Sequence, residues 1–437
     1  MPAVWTVPEH TGTGRVPAHA ITHRDRVDLN GRWDFQLLPT PMSTLGESWS
    51  SITVPGAWTM QGFDDLPIYT NVRMPFAELP PQVPAQNPTG VHRRAFTVPE
   101  SWAGRRVVLH VGAAESLLLV RVNGREIGTS TDSHLAAEFD ITHALRPGGN
   151  ELVLTVVKWS AASYLEDQDQ WWHGGITRDV YLYATGPTYL GDLTAVADYD
   201  SETGHGALDL TVHVAGQPRA ELTVRARIRD VTATGPVPER RARELPAGDD
   251  IPPELEGLDP FGLHYAALAG QPMPEQLRPV ADALRARMFP APAGRVTLRM
   301  DLPAITPWTA ETPALHELVI ELLDADDTVL ETVTERIGFR RVEIRDGDLL
   351  VNGRRIWIAG VNRHDFHPRT GRTLTRADLE RELALLKRHN VNAIRTAHYP
   401  NQPEFLELTD EYGFYVFDEA DIECHDFAST LCDDPGT

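Results

Sequence analysis

Three short stretches of this sequence end in side chains able to bind, charge or ligate. Asn362-Arg363-His364-Asp365 follows one apolar run, Arg395 and His398 close a second, and Glu419, Asp421, Glu423 and His425 follow a third. Far upstream, Tyr164-Leu165-Glu166-Asp167-Gln168-Asp169, followed by Trp171, sets carboxylates beside aromatic rings. Carboxylates and amides suit hydroxyl partners, and the planar donors of arginine fix neighbouring carboxylates. Glu423 and His425 stand two apart in an extended segment, which puts both side chains on one face. A carboxylate with an imidazole can hold a cation but does not select one, since Mg²⁺ prefers oxygen ligands and water. Any one of these residues, taken alone, reads equally well as a solvated loop residue, a turn former or a core histidine satisfied by backbone. Their recurrence at three successive run ends is what argues for a site.

The elements around them must bring those ends together. Ile356-Trp357-Ile358-Ala359-Gly360-Val361 is too apolar to be half-exposed and predicts a parallel strand buried on both faces. A helix follows, with a Thr375-x-x-Asp378 capping box, an apolar stripe at Leu379, Leu383 and Leu386, and Lys387, Arg388 and His389 at its dipole-negative end. Asn392 to Ala397 reads as the second strand, Gln402 to Tyr412 as a second helix ending at Gly413, and Phe414 to Glu419 as the third strand. Strand, helix, strand, helix, strand opens a parallel α/β fold, and in a (β/α)8 barrel the C-terminal strand ends carry the active site.

Upstream the text is β-like. From Val27 to about Thr185, short apolar runs are broken by turn chemistry such as Asn123-Gly124, a pair suited to a type I′ hairpin, and an antiparallel jelly-roll-like sandwich over 1–187 is expected. From Gly186, Leu208, Leu210, Val212 and Val214 alternate with polar residues, as do Leu222, Val224, Ala226 and Ile228, predicting an immunoglobulin-like sandwich over 188–343. Residues 235–292 are crowded with proline and read as a surface insertion, with a short helix from Pro274 to Arg287. The incomplete barrel occupies 344–437.

Composition narrows the partners. A formal charge of −22, from 40 Lys+Arg against 62 Asp+Glu, disfavours nucleic acid and anionic membranes, whose phosphates need clustered cations. No stretch from Met1 to Arg26 has signal-peptide character and no window approaches a membrane span, so the chain reads as cytoplasmic. Cys424 and Cys432 are the two cysteines; they make no zinc pattern and read as reduced thiols.

The motifs carry a specific resemblance. Asn392-Ala-Ile-Arg395-Thr-Ala-His398-Tyr399-Pro400, continuing through Asp410-x-x-Gly413, resembles the first signature of glycoside hydrolase family 2. Gly360 to Asp365 and Asp418 to His425 resemble flanking motifs of that family's β-galactosidases. Pro67-Ile-Tyr69-Thr-Asn71-Val72, Asn87-Pro88-Thr89-Gly90 and Tyr164 to Trp171 match the same group, so most of the chain is covered in order. The resemblance implies a galactoside substrate bound by Asn71, Asp169, His364, Arg395 and His398, with Mg²⁺ on Glu423 and His425 and Na⁺ or K⁺ at Asp169. It also implies retaining hydrolysis, which needs two carboxyl groups about 5 to 5.5 Å apart. The family places these after the fourth and seventh barrel strands, beyond Thr437, so no catalytic carboxylate is expected here and the chain alone is expected to be inactive. Three readings remain: the N-terminal portion of a β-galactosidase, a non-catalytic galactoside-binding module, or a complementing subunit whose partner chain supplies the rest of the barrel. A homo-oligomer is compatible with each. The family's β-glucuronidases and β-mannosidases are the alternative activities. Trp172-His173-Gly174 and Cys424 depart from the pattern and touch the finer sugar preference.

Overall fold

The computed structural model describes residues 4–8, 11–23, 25–217, 219, 221–238 and 294–427. The expected insertion 235–292 starts too early, since Gly235 and Pro236 end the paired strand Val231–Pro236; its residues from 239 on, with the expected helix Pro274 to Arg287, and Cys432 lie outside the described residues.

The first unit is a sandwich of a seven-stranded and a four-stranded sheet. Alternation decides which side chains go inward: Leu152, Leu154 and Val156 of the strand Gly149–Val157 meet Val107, Leu109 and Leu182 of the opposite sheet in one core. Asn123 and Gly124 take positive φ of 54° and 81° and join Val122 to Arg125 as the expected tight hairpin. The second unit packs a three-stranded sheet on a four-stranded one, with Leu208, Leu210, Val212 and Val214 set against Val224, Ala226, Ile228 and Ile320.

The third unit is a parallel sheet of Gly360–Asn362, Ala393–Arg395 and Tyr415–Phe417, in register so that Asn362, Arg395 and Phe417 form the last row. Two helices cover one face. Arg376–Arg388 starts on the reciprocal Thr375–Asp378 capping box, and Pro403–Tyr412 has proline at its first turn and Gly413 in the left-handed conformation (φ 79°) at its end. Leu379, Leu383, Phe405 and Leu408 pack on Ile394 and Phe414 beneath them. One expectation fails here: the first strand begins only at Gly360, and Trp357, Ile358 and Val361 are exposed, Trp357 at 75%. A parallel strand is buried on both faces only when both are covered, and among the described residues nothing covers the edge or the second face of this one.

One core residue of the first sandwich sets an acid limit on the fold. His92 is fully buried against Phe35 and Trp58, its Nδ1 donates to the Leu154 carbonyl at 3.3 Å, and its Nε2 has no partner among the described residues. Burial holds its pKa down at about 4. The unfolded chain therefore takes up this proton from pH 6.5 downward while the folded chain resists until about pH 4. Stability is lost across that window, by roughly 3 kcal/mol at 1.36 kcal/mol per pH unit. Denaturant titrations between pH 7 and pH 4 should show this slope, and His92→Leu should flatten it; an unchanged slope in the variant would assign the acid sensitivity elsewhere.

Candidate active site

The strand ends converge as their positions in the sheet require. Arg395 donates through Nε to Glu419 at 2.5 Å and through Nη2 to His398 Nδ1 at 3.2 Å. His398 lies 3.5 Å from Glu419 and 4.0 Å from Glu423, and Glu423 lies 3.4 Å from His425 Nδ1. The rings of His364 and His398 meet edge-on at 5.6 Å, and burial, together with His398 and Arg372, lowers the pKa of His364. Five of the sequence-predicted residues (His364, Arg395, His398, Glu423 and His425) therefore form one group, half-buried except for the exposed His425, with Glu419 bridging it. Arg363 and Asp365, from the same polar run, are instead buried and bonded to each other at 2.5 Å, with Glu382 and Asn401 completing the set around Arg363. They hold the loop rather than face the opening.

The first sandwich supplies a second wall. Glu166–Asp167 pairs in parallel with Glu423–Cys424, Glu423 donates its amide to the Leu165 carbonyl at 2.7 Å, and the Asp426 amide donates to Asp167 at 2.9 Å. Backbone pairing across the domain boundary thus places the Glu166-Asp167-Gln168-Asp169 motif beside the Glu423 and His425 pair. Asp169 is half-buried and accepts the Tyr69 hydroxyl at 2.5 Å; Tyr69 lies opposite Trp171 in the antiparallel pair of Ile68–Thr70 with Gln170–Trp172. Asn71 is the next residue after that strand, where the ladder has ended, and is exposed.

Between the two walls lies a polar seam that sequence reasoning missed. Arg372, 6% exposed, donates to Gln170 at 2.7 Å and to the Trp171 carbonyl at 2.6 Å, reaches His134 Nε2, and lies 3.4 Å from Glu115. His134 in turn donates from Nδ1 to Asp421 at 2.7 Å, and Gln168 donates to the other oxygen of Asp421 at 2.8 Å. Arg372 and His134 are 238 residues apart, so no spacing could have announced the contact. A capping box three residues past Arg372 marked the loop as ending there, and that was the only local signal.

Carboxylates crowd the same seam. Oxygens of Asp132, Glu166 and Asp421 lie within 4.8 Å of one another, the one such group of three among the described residues. Burial, then Asp421 and Asp132, push Glu166 well above the usual carboxylate range; burial raises Asp421 too, but His134, Arg372 and Gln168 together outweigh it and keep Asp421 low. A proton on Glu166 therefore relieves the crowding. The expected Mg²⁺ ligands make a different set. The 3.4 Å between Glu423 Oε1 and His425 Nδ1 suits two neighbouring positions on one ion, yet it supplies only one of the oxygen ligands Mg²⁺ prefers.

Comparison with known proteins agrees with this layout. The family model "Glycosyl hydrolases family 2, sugar binding domain" matches residues 27–186, "Glycosyl hydrolases family 2" matches 277–340, and the family's TIM barrel domain matches 342–434. The chain belongs to glycosyl hydrolase family 2. Relatives named β-galactosidase include those of Psychromonas ingrahamii, 36% identical over 91% of this chain, and Vibrio cholerae, 37% identical over 95%. This chain spans 36% and 39% of their respective lengths. Among solved structures, a Bifidobacterium dentium β-glucuronidase aligns over 94% of this chain and 64% of its own, with TM-score 0.69 and 18% identity. A Bacteroides vulgatus β-glycosidase aligns over 91% of this chain and 44% of its own, with TM-score 0.65 and 19% identity. These two share the fold of sandwich, sandwich and parallel barrel strands.

Breaking a buried ion pair from one side costs about 3–5 kcal/mol, because the remaining charge is stranded. Arg372→Met should therefore destabilise the chain by that order, and adding Glu115→Gln should recover part of the loss. A double-mutant cycle in denaturant that shows no coupling would place Arg372 outside the seam's energetics.

Proposed function

We propose that this stretch of the protein binds the terminal galactose of β-galactosides, and that the whole protein is a retaining β-galactosidase acting on lactose-like substrates. The observation that carries this reading is the parallel pairing of Glu166–Asp167 with Glu423–Cys424, which sets Asp169 of one domain beside the polar strand ends of another. In this reading Asp169 and Asn71 take sugar hydroxyls from the sandwich side, His364 and His398 take them from the barrel side, and Arg395 holds Glu419 and His398 in place. The Tyr69 hydroxyl, donated to Asp169, orients that carboxylate. Glu423 and His425 would hold Mg²⁺ and Asp169 a monovalent cation; a bound Mg²⁺ would supply fixed positive charge beside the sugar. A cytoplasmic location suits the composition. A second copy or a complementing chain suits the exposed Phe417 of the sheet and the exposed Trp357 and Ile358 that precede it.

Galactose is favoured over glucuronate on two grounds. The relatives named β-galactosidase share 35 to 37% identity with this chain, whereas the aligned β-glucuronidase structures share 18 to 20%. In addition, a carboxylate on the sugar would meet the charge of Asp169. Calorimetric titration of the 437-residue chain should detect D-galactose, and Asp169→Ala should weaken binding at least tenfold, which is about 1.4 kcal/mol. Equal binding of D-glucuronate, or unchanged affinity in the variant, would overturn the assignment.

A further inference from the structure

His134 has no place in the functional reading above, yet it touches all three strand-end loops at once. It sits in the bend after the strand Arg125–Thr131 of the first sandwich and is 1% exposed. Its ring stacks on Tyr399 at 4.2 Å and 13°, directly after His398 of the second loop. Nδ1 is 2.7 Å from Asp421, two residues before Glu423 in the third loop, and Nε2 meets the guanidinium of Arg372 in the first. Its own backbone is held as well: the His134 amide donates to Asp132 at 3.0 Å, and its carbonyl receives Arg178, which also donates to Asp365 at 3.2 Å and to the Pro400 carbonyl at 2.8 Å.

The partners settle the protonation of the ring. A guanidinium can only donate, so Nε2 must accept and the single ring proton sits on Nδ1, where it is given to Asp421. Only neutral imidazole satisfies both sides: a cation would turn an N–H toward Arg372, and a purely donating or purely accepting side chain would lose one loop. Lysine or leucine of similar bulk could fill the space but could not make this connection.

We propose that His134 is a positioning residue for the site, a three-way tie that sets the first, second and third barrel loops against one another from the neighbouring domain. It acts through Arg372 on the Trp171 side, where Asp169 stands, and through Asp421 on the Glu423 and His425 side. The claim that these loops serve galactose rests on the function proposed above. The tie itself rests on the contacts of the ring.

Two substitutions separate the two arms. His134→Asn keeps an N–H near the Nδ1 position and so retains Asp421 while losing Arg372; His134→Gln places an acceptor near the Nε2 position and does the reverse. Amide hydrogen exchange of the 437-residue chain reads each arm. In the Asn variant, residues 366–374 should exchange at least tenfold faster while the bonded amides of Glu423 and Asp426 stay protected. In the Gln variant the protected and loosened segments should be exchanged. His134→Ala should loosen both and weaken D-galactose at least tenfold by calorimetry. If the Asn and Gln variants loosen both loops alike, or leave both as they were, His134 is packing only and the proposal fails. If the unmodified chain does not bind D-galactose, the galactoside reading fails while the exchange split still decides the tie. If the chain binds and His134→Ala binds equally well, the positioning role falls alone.

Discussion

A guanidinium buried at a domain boundary constrains everything around it. Arg372 cannot shed its proton, so its burial is tolerable only where acceptors and countercharge surround it in the right plane. Gln170, the Trp171 carbonyl, His134 and Glu115 meet that requirement, and all four belong to the first sandwich. The barrel loop that carries Arg372 is therefore held to one orientation on the sandwich. Once it is held, Asp421 reaches His134, and Glu166 and Glu423 fall into register for backbone pairing. Shape complementarity alone would allow sliding; the directional bonds of a fixed cation do not.

This constraint explains why the site forms between domains rather than within one. Three parallel strands give a row of polar ends but only one wall, and the rings and carboxylates of His364, His398 and Glu419 face outward from it. The sandwich brings the second wall with Tyr69, Asp169 and Trp171, whose outward direction follows from alternation: Gln170 and Trp172 turn in, so Asp169 and Trp171 turn out. Trp171 then stacks with Phe366 of the barrel, their rings 6.4 Å apart and inclined by 18°. Stable elements on both sides thus hold a polar centre with an aromatic border.

What could be read in the sequence was whatever local chemistry specifies. The helix starting at Thr375 was legible because a capping box needs only four residues, and the Asn123-Gly124 hairpin because positive φ is a local demand. The alternating strands of both sandwiches were legible because burial on one face has period two. The convergence of His364, Arg395, His398, Glu423 and His425 followed from parallel strands sharing an end. The seam was not legible, since Arg372 to His134 and Gln168 to Asp421 are contacts across more than 200 residues between side chains of ordinary type. The burial of the first barrel strand was misread for a related reason. An apolar run records the surroundings a strand is suited to, and in this structure Trp357 does not have them.

Charge in the seam also bears on how exact the site must be. Asp132, Glu166 and Asp421 could not all be ionised at such separation without strong repulsion, and they are supported unequally: His134 and Gln168 donate to Asp421, while at Glu166 burial and the neighbouring Asp421 and Asp132 outweigh the hydrogen bonds from Ser133. Ser133, on the chain between Asp132 and His134, closes the arrangement by donating its amide to Glu166 at 3.0 Å. One turn of the sandwich therefore contributes a carboxylate, a hydroxyl-bearing donor and an imidazole to three different tasks in consecutive residues. A shift of that turn would unbalance the acidic trio and release Arg372 together. The distribution of charge in the seam and the geometry of the candidate site are consequently one requirement, met by the same few side chains.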